Sequence, residues 1–562
     1  MRAEVGLAGL MFAACNGAVI EGDPDGASSS TGATQPGSTG AGVTTDAGPT
    51  SGGAEVGTGG ATGGTSGGEG SSEGGEVGSS GSGTTGEPPV SLRYDEVRQK
   101  SAHNTFQRDE PLVDTVLVHR VRSLELDIHV GKTLADEVAG DWFVYHVDVV
   151  DDDTSCRLLS QCFAQIAAVA EVAPEHEVIT IFVDLKDGLA GGHGWAELDA
   201  RILEAFGPRA LTPGEMIKNC AGATTLQAAV TSPGCGWPQL EEIRGRVMVV
   251  FTGGADTLAD YAGADAGMRA GFVAPALPAD QLAAHPEAVF VNLEAGDTAV
   301  ATAVAAAGLV SRVWVLDDAE AFAAAASAGA HHLATNKINV SQDAWATTAG
   351  AQGWPFTCIA PCEAPDAEPG QALRVTADSG DLWGDSDAAV FVRWALPEGA
   401  LALTGLLGAT SSHVEEFIKN CVGVRAGDAD DAAYFAVCRP ADNNALRVQV
   451  RSAAGESTED VEMDGVEGLS AEVPAFARVE RDADGLCARG YGSADGVTWS
   501  MIAERCFAAP LVEVGVLAAS NDAGAADVRV FGLTATPGGA LLAADAAVSL
   551  YGGAVGAAVD GF

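Results

Sequence analysis

The stretch SLELDIH, residues 123–129, alternates apolar and acidic side chains and ends in a histidine. Alternation with a period of two is typical of a strand with one buried face. Glu125 and Asp127 are two residues apart, so both point to one face, with α-carbons roughly 6–7 Å apart. A buried salt bridge or a solvated sheet edge would also suit two acids, but no Lys or Arg alternates with them along the strand. The stretch predicts a strand that carries two carboxylates toward a polar site.

Similar short β-rich runs alternate with Ala-rich, helix-like stretches from about residue 90 to about residue 341. The Ala-rich stretches include 301–307 and 319–328. Eight alternations of this kind predict a (β/α)₈ barrel of the TIM type rather than an open doubly wound sheet. No glycine-rich phosphate loop follows the first strand, which argues against a nucleotide fold. The eight expected strands are the run into 101–103, then 123–128, 142–146, 178–185, 247–252, 288–293, 310–316 and 332–335.

Polar residues stand where the first four of these strands end. His103 and Asn104 follow the first strand, His146 ends the third, and Asp184 and Lys186 end the fourth. Each histidine taken alone fits a structural role better than a catalytic one. Active sites of TIM barrels lie at the carboxyl ends of the strands, so the combination predicts a catalytic site at that rim.

These residues form motifs that resemble a known family. SAHNT (101–105), RSLELD (122–127) and the Tyr145-His146 pair occur in the order of the catalytic X-type region of phosphatidylinositol-specific phospholipases C, above all their bacterial calcium-dependent branch. Further on, GWP (236–238) before EIRGR (242–246) resembles the family's lead into strand five. The resemblance covers nearly the whole expected barrel and none of the rest of the chain.

The resemblance implies a role for each matching residue. At Asp184 the family usually has a Glu, so this ligand is one methylene shorter and is expected to bind more weakly or through water. The implied set has catalytic histidines at His103 and His146, calcium ligands at Asn104, Glu125, Asp127 and Asp184, and a phosphate or inositol contact at Lys186.

The chemistry of these residue types agrees with that function. An amide oxygen and three carboxylates form a partial oxygen cage of the kind that Ca²⁺ binds. Imidazole side chains exchange protons near neutral pH and suit general acid–base catalysis. We therefore expect calcium-dependent cleavage of phosphatidylinositol-type lipids to diacylglycerol and a cyclic inositol phosphate. The alternatives are a glycerophosphodiester phosphodiesterase, whose family typically opens with a His-Arg-Gly block, and a non-catalytic glycan-binding surface protein.

The charge of the chain excludes one class of partner. Its 562 residues include 77 acidic and only 30 basic side chains, for a net charge of −47. That field repels nucleic acid and favours divalent cations. A chain of this length predicts two or three domains, and we expect a monomer.

The first residues resemble an export signal. Arg2 precedes an apolar run from Val5 to Ala14, and the run is too short to span a bilayer. Small residues just before Cys15 resemble a bacterial lipobox, which predicts lipidation of Cys15; plain secretion is the alternative, and Glu4 is unusual in such a signal. Residues 16–89 are Gly, Ser, Thr and Ala with scattered acids, a composition that predicts a disordered tether.

The remaining ten cysteines occur as neighbours along the chain. An even number of cysteines in an exported chain is typical of structural disulfides, although sequence does not determine connectivity. Zinc binding is disfavoured because no pair has the CxxC spacing. We expect five local disulfides among Cys156 and Cys162, Cys220 and Cys235, Cys358 and Cys362, Cys421 and Cys438, and Cys487 and Cys506.

The helical pattern disappears in the last third of the chain. From 356 to 536, β-type alternation is punctuated by Gly, Asp and Asn, which predicts an antiparallel sandwich or jelly roll. YGSADGVTW (491–499) resembles a hairpin of laminin-G or concanavalin-like modules, many of which bind glycans. Residues 537–562 form an Ala/Gly-rich tail that is not a convincing membrane anchor. The expected order is signal (1–15), tether (16–89), barrel (90–345), sandwich (356–536) and tail.

Overall fold

The computed structural model describes most of the chain from residue 92 onward, and these described residues form one compact unit. The predicted signal, Cys15 and the predicted tether lie outside the described residues. The described ranges are 92–133, 137–189, 191–339, 343–347, 354–362, 372–378, 380–409, 418–440, 445–462, 474–521, 526–551 and 559–561.

The first half of this unit is the predicted TIM-type barrel. Parallel strands follow one another in the order β6-β5-β4-β2-β1-β9-β8-β7, and β6 and β7 approach each other so that the described sheet is nearly closed. The fold class predicted from the sequence is therefore confirmed. The strands of this half are β1 (Val97–Ala102), β2 (Ser123–His129), β3 (Phe143–Val144), β4 (Ile179–Leu185), β5 (Val247–Gly253), β6 (Phe272–Val273), β7 (Phe290–Glu294), β8 (Val310–Trp314) and β9 (His332–Thr335).

One expected barrel strand was wrong. The third expected strand (142–146) is reduced to β3, which pairs antiparallel with the end of β2 and lies off the barrel path. No pattern in the sequence predicted β6, which pairs in parallel with β5 and supplies the barrel strand that β3 does not. Two residues are too few to show a period, so alternation could not reveal β6.

Helices cover the barrel as its connections require. The helices expected at 301–307 and 319–328 are confirmed as α7 and α8, and Asp318 caps α8 by accepting from the N–H groups of Glu320 and Ala321. In the described part of the chain no helix has the length and apolarity to cross a bilayer. The α-helices are α1 (Leu112–Leu117), α2 (Leu159–Val172), α3 (Trp195–Phe206), α4 (Pro213–Lys218), α5 (Leu226–Thr231), α6 (Ala255–Ala262), α7 (Thr298–Ala306) and α8 (Ala319–Ser327). Short 3₁₀ helices span Tyr94–Glu96, Thr105–Gln107, Gly207–Arg209, Leu240–Ile243, Ala266–Met268, Ala279–Ala284 and Ala543–Asp545.

The second half is the predicted all-β sandwich. One antiparallel sheet has the order β20-β19-β18-β13-β22-β11-β25, with β23 beside β22, and the other has the order β17-β16-β15-β14-β21-β12-β24. Inward-facing apolar residues of both sheets form one core. The strands are β10 (Phe356–Cys358), β11 (Ala372–Ala377), β12 (Val390–Arg393), β13 (Leu401–Leu407), β14 (Lys419–Arg425), β15 (Tyr434–Pro440), β16 (Arg447–Arg451), β17 (Glu459–Glu462), β18 (Phe476–Arg481), β19 (Cys487–Ser493), β20 (Ser500–Cys506), β21 (Glu513–Ala519), β22 (Ala526–Thr536), β23 (Gly539–Ala540), β24 (Ala547–Leu550) and β25 (Val559–Gly561).

Three strands pair with a different part of the structure than the expected segment boundaries predict. β10, at the start of the expected sandwich, pairs antiparallel with β1 of the barrel. β24 and β25, within the expected tail, pair with β12 and β11 of the sandwich. The two halves also contact each other directly, because Val113 and Val172 of the barrel pack with Leu406 and Phe531 of the sandwich.

The cysteines pair as local neighbours, which confirms the predicted disulfides. The bonds are Cys156–Cys162, Cys220–Cys235, Cys358–Cys362, Cys421–Cys438 and Cys487–Cys506. The second of these closes a loop of the long connection between α3 and β5, and the last two each cross-link adjacent strands of the sandwich.

Candidate active site

His103 lies just past the carboxyl end of β1 and is 7% exposed. Its ring stacks against Trp314 with centroids 6.0 Å apart, and its Nδ1 lies 3.0 Å from Oδ1 of Asn336. Its other nitrogen, Nε2, lies 3.9 Å from Oε2 of Glu125. The imidazole is therefore held on one side and faces the acidic strand on the other.

Asn336 is itself oriented by Asp317. The Nδ2 and backbone N–H groups of Asn336 donate to Asp317 over 3.0 and 2.6 Å. With its amide nitrogen engaged, Asn336 presents its oxygen to His103, so the neutral ring carries its proton on Nδ1. The lone pair is then on Nε2, the nitrogen that faces the site. No local pattern in the sequence singled out Asn336 and Asp317. Both nevertheless follow barrel strands, which is the same position that pointed to the polar residues after the first four expected strands.

Glu125 is 5% exposed and pairs with a cation that the sequence does not place near it. Nη2 of Arg312, on β8, lies 2.7 Å from Oε2 of Glu125, and the backbone N–H of Asn104 donates to the same oxygen over 3.0 Å. Burial by itself raises the pKa of the Glu125 carboxyl, but the charge of Arg312, together with that of His103 when protonated, outweighs it and holds the pKa below its ordinary value. Arg312 comes from a strand about 190 positions further on, so no local pattern links the two residues.

Asp127 and Asp184 are register partners on the adjacent strands β2 and β4. The Lys186 ammonium bridges them, 3.2 Å from Asp127 and 2.6 Å from Asp184. Thr252 also donates to Asp184 over 2.7 Å. Burial raises the pKa of Asp127 well above its ordinary value, and the charges of Glu125 and Asp184 add to this effect against Lys186. Two carboxylates thus share one cation at the rim of the barrel.

The side-chain oxygens in this region fit a bound cation in part. Both oxygens of Asp127 are buried and, among the described residues, have no hydrogen-bond donor of acceptable geometry. Such oxygens need a positive charge, and the Lys186 ammonium now stands between them and Asp184. Over the described ranges, however, no group of three or more acidic, His or Cys side chains has the arrangement of a formed metal site. Glu125 is turned toward Arg312 instead.

Asn104 occupies a tight turn at the same rim. Its φ of 45° is left-handed, a conformation that Asn adopts more readily than most residues, and its side chain is buried. The turn directs its backbone N–H to Glu125, so at least this part of the residue contacts the acidic strand.

His146 lies in a loop, and this corrects the expectation that it ends a barrel strand. The antiparallel β3 stops at Val144, two residues earlier. Nδ1 of His146 lies 3.0 Å from Oδ2 of Asp151, and Gln107 donates to the other oxygen of Asp151 over 2.8 Å. Because Gln107 follows Asn104 by three residues, Asp151 links the His146 loop to the loop after β1.

A second histidine fixes the start of the His146 loop. His129 stacks on Tyr145 with centroids 3.8 Å apart, and its Nε2 lies 3.1 Å from the Tyr145 carbonyl oxygen. Its Nδ1 lies 3.3 Å from Asp187. The residue directly before His146 is thus anchored to the ends of β2 and β4. Beyond His146 the loop exposes Val147, Val149 and Val150, whose exposed fractions are 45%, 68% and 84%.

Comparison with known proteins gives one family match. The model of the calcium-dependent phosphoinositide phospholipase C family matches residues 139–345, a range that contains His146, Asp184 and Lys186. His103 and the acidic pair of β2 lie before it. Among curated proteins, none matches.

Solved structures similar to this chain include two bacterial phospholipases C. The apo calcium-dependent phosphoinositol-specific enzyme from Pseudomonas sp. is 21% identical, with a TM-score of 0.42 over 48% of this chain and 95% of that one. The Ca²⁺-dependent phosphatidylinositol-specific enzyme from Streptomyces antibioticus is 20% identical, with a TM-score of 0.38 over 45% and 96%. A phosphodiesterase from Oleispira antarctica in complex with sn-glycerol-3-phosphate is 13% identical, with a TM-score of 0.28 over 45% and 98%.

The family match agrees with the motifs in the sequence and with the eight-stranded architecture. Residues 139–345 of the barrel are thus similar in sequence to the calcium-dependent phosphoinositide phospholipase C family.

Proposed function

We propose that the barrel cleaves phosphatidylinositol-type lipids by calcium-dependent acid–base catalysis, giving diacylglycerol and a cyclic inositol phosphate. The observation that carries this proposal is the cation-bridged pair Asp127 and Asp184 beside the oriented imidazole of His103. These groups stand at the carboxyl ends of β1, β2 and β4, where barrel enzymes carry their chemistry.

Asn104, Glu125, Asp127 and Asp184 are the residues we propose to hold Ca²⁺. A bound calcium ion supplies positive charge that lowers the pKa of a sugar hydroxyl and neutralises charge on phosphoryl oxygens. The buried oxygens of Asp127 support this assignment because they lack donors within the described structure. To complete the set, Lys186 must leave its position between the acids, and its ammonium is then free to contact a phosphate or inositol oxygen.

His103 is the proposed general base. Nε2 carries the lone pair, because Nδ1–H is directed to Asn336. It takes the proton of the inositol 2-hydroxyl as that oxygen forms a bond to phosphorus. The attack is intramolecular and therefore has a large proximity advantage.

His146 is the proposed general acid. Its Nδ1 lies 3.0 Å from the Asp151 carboxylate, which accepts the Nδ1–H and orients the ring. As the bond from phosphorus to the glycerol oxygen breaks, Nε2–H gives its proton to that oxygen and diacylglycerol leaves. Afterward His103 releases its proton to water and His146 takes up a proton from water. The enzyme therefore gains or loses no net proton over the cycle.

The exposed valines after His146 favour a lipid as the substrate. Apolar side chains that remain in water next to a catalytic group are typical of a surface that contacts another apolar phase. Asp148 and Asp151 flank them, so calcium would also help this loop approach an anionic bilayer.

The deciding experiment is product analysis of purified protein with phosphatidylinositol and a glycerophosphodiester side by side. Phosphorus NMR should show a cyclic inositol phosphate from the lipid, formed with calcium and not with a chelator. Release of glycerol phosphate from the diester alone would favour the glycerophosphodiesterase alternative. No product from either substrate would favour the non-catalytic alternative.

Export and anchoring are a separate part of the proposal. Five disulfides are typical of a protein that folds in an oxidising compartment. Lipidation of Cys15 stays a prediction: the native protein should partition into detergent, and Cys15→Ser should release it or block processing. Equal partitioning of both forms would favour plain secretion. The glycan ligand of the sandwich and the monomeric state also stay predictions.

A further inference from the structure

A cavity of about 450 Å³ lies on the side of the barrel away from the candidate active site. Its walls come from α4, from the residues that begin α5, from 262–269 and from Pro286 and Glu287. The last two segments directly precede β6 and β7. The cavity therefore lies at the amino ends of the barrel strands, whereas the catalytic groups lie at their carboxyl ends.

Arg269 lines this cavity and is 4% exposed. Neither its Nε nor its Nη1 has a hydrogen-bond partner in the part of the chain that the structure describes. The guanidinium lies 5.5 Å from the centre of the Tyr261 ring, which attracts its charge but accepts none of these hydrogen bonds in the present arrangement. A buried cation whose N–H groups have no acceptor raises the free energy of the folded state. We therefore expect the Arg269 guanidinium to have a bound partner that accepts these hydrogen bonds.

The acids whose charges act on Arg269 are already engaged with other groups. Asp199 accepts from the Tyr261 hydroxyl and from the backbone N–H of Ala270. Asp265 accepts from the backbone N–H of Gly267 over 2.9 Å. Among the described residues, no carboxylate thus forms an ion pair with Arg269, although the charges of nearby acids lower the cost of burying it.

Glu287, which also lines the cavity, is engaged with His285 at 3.0 Å. The same wall is tied to α5, because Gln227 donates to the carbonyl oxygens of Leu282, His285 and Ala288. The Cys220–Cys235 disulfide closes the loop that carries Thr224 and Thr225. The cavity is thus framed by cross-linked segments and does not depend on a single loose loop.

We propose that this cavity binds a small oxyanion, a phosphate or carboxylate group carried on a hydroxylated molecule. Arg269 supplies the charged donors at the floor, and a guanidinium matches the planar pair of oxygens of either group. Lys218 adds positive charge at the exposed mouth, where the Thr224 hydroxyl is also available to a ligand. Asp265 and Glu287 can accept from hydroxyl groups of the molecule. A volume of this size suits a ligand larger than a bare ion.

The test is a thermal-unfolding and calorimetric titration of the full chain with three probes: inorganic phosphate, citrate and glucose 6-phosphate. A probe that binds should raise Tm by about 3–6 °C at about 100 times its Kd. The probe with the lowest Kd identifies the source of the oxyanion. Lys186→Met is the background control, because it removes the cation of the catalytic rim; the shift should persist in it.

Two variants locate the site. Thr224→Trp should fill the cavity from its exposed mouth and weaken binding at least about tenfold. Arg269→Met should abolish the shift and, without any probe, keep or raise Tm, since an unpaired buried charge is replaced by an apolar chain. A large loss of Tm in probe-free Arg269→Met would overturn the proposal by making the guanidinium structural. Equal shifts in all variants, or no shift in the wild type, would overturn it too. None of these measurements of Tm and Kd depends on phospholipase activity.

Discussion

The ammonium nitrogen of Lys186 lies 3.2 Å from a carboxylate oxygen of Asp127, on the adjacent strand, and no hydrogen-bond donor of acceptable geometry reaches that oxygen from the described residues. Lys186 therefore takes the position of a cation beside a buried acid. If calcium binds there, lysine and metal compete for the same carboxylates.

Lys186→Met should consequently separate metal binding from turnover. Without the competing ammonium, calcium should bind more tightly and raise Tm by more than in the wild type, because Asp127 and Asp184 share no other cation among the described residues. Turnover should nevertheless fall, since the substrate contact is lost. Calcium calorimetry and lipid assays measure the two effects, and Lys132→Met, at a salt bridge with Asp152, is the matched control. Weaker calcium binding in Lys186→Met would contradict the competition.

His103 and Asn336 should form a functional pair. His103→Ala removes the proposed base and should lower kcat by about 10²–10⁴-fold. Asn336→Leu leaves the imidazole but removes the acceptor of Nδ1–H, so misorientation should cost about 10²-fold. The double variant should be little worse than His103→Ala alone. Excess calcium should restore neither variant, whereas it should partly rescue a lost ligand such as Asp184→Asn. Calcium rescue of His103→Ala would contradict the assignment.

The proposed acid role of His146 predicts a dependence on the leaving group. His146→Ala should lower the rate of lipid cleavage by about 10²–10⁴-fold. A substrate whose leaving group is a stable phenolate needs no proton, so its cleavage should be affected far less. The ratio of the two rates is the measurement. An equal loss on both substrates would assign His146 another role.

The exposed valines predict a defect that is specific to membranes. Val149→Ser with Val150→Ser should lower activity on phosphatidylinositol vesicles by about 30-fold, because each exposed apolar side chain contributes on the order of 1 kcal/mol to contact with lipid. Activity on a short-chain substrate below its micellar concentration should be unchanged. Val512→Ser, at a valine on the sandwich that is 58% exposed, is the control. A parallel loss on both substrates would point to a distorted loop instead.

His331 predicts the direction of one pH effect on stability. Burial lowers its pKa to about 4. Its Nδ1 accepts a hydrogen bond from the backbone N–H of Ser311, so this nitrogen cannot take up a proton in the folded state without losing that hydrogen bond. Between its ordinary pKa near 6.5 and about 4, the unfolded chain binds a proton that the folded chain does not. Stability should therefore fall as pH drops through this window, by up to about 3 kcal/mol.

His331→Gln should remove that part of the pH dependence. The measurement is the urea midpoint of wild type and variant between pH 7 and pH 4.5. The variant is expected to start less stable at pH 7, because the hydrogen bonds of the ring are lost, but to decline less on acidification. An equal decline in both proteins would show that His331 does not contribute.

The order of elements and the residue types of the site were readable from the chain itself. Alternation in 123–129 and the Ala-rich helices reflect local periodicity, which burial against a neighbouring layer imposes on any barrel segment. The cysteine pairs were also local, since each bond joins residues at most 19 positions apart. The same local signals failed for the two-residue β6 and for His146, whose loop follows a strand too short to show a period.

The partners of the site were decided by tertiary structure. Arg312 reaches Glu125 from the opposite end of the barrel sequence, and Asn336 reaches His103 across 233 positions. β9 pairs with β1 and β8 pairs with β9, so these late strands come close to the first two, and no pattern within a strand encodes which distant side chain will fill the space. The sequence by itself determined which polar residue types stand at the carboxyl ends of the strands. Closure of the barrel decided their charges, tautomers and neighbours, because ion pairs and hydrogen bonds depend on distance in space and not along the chain.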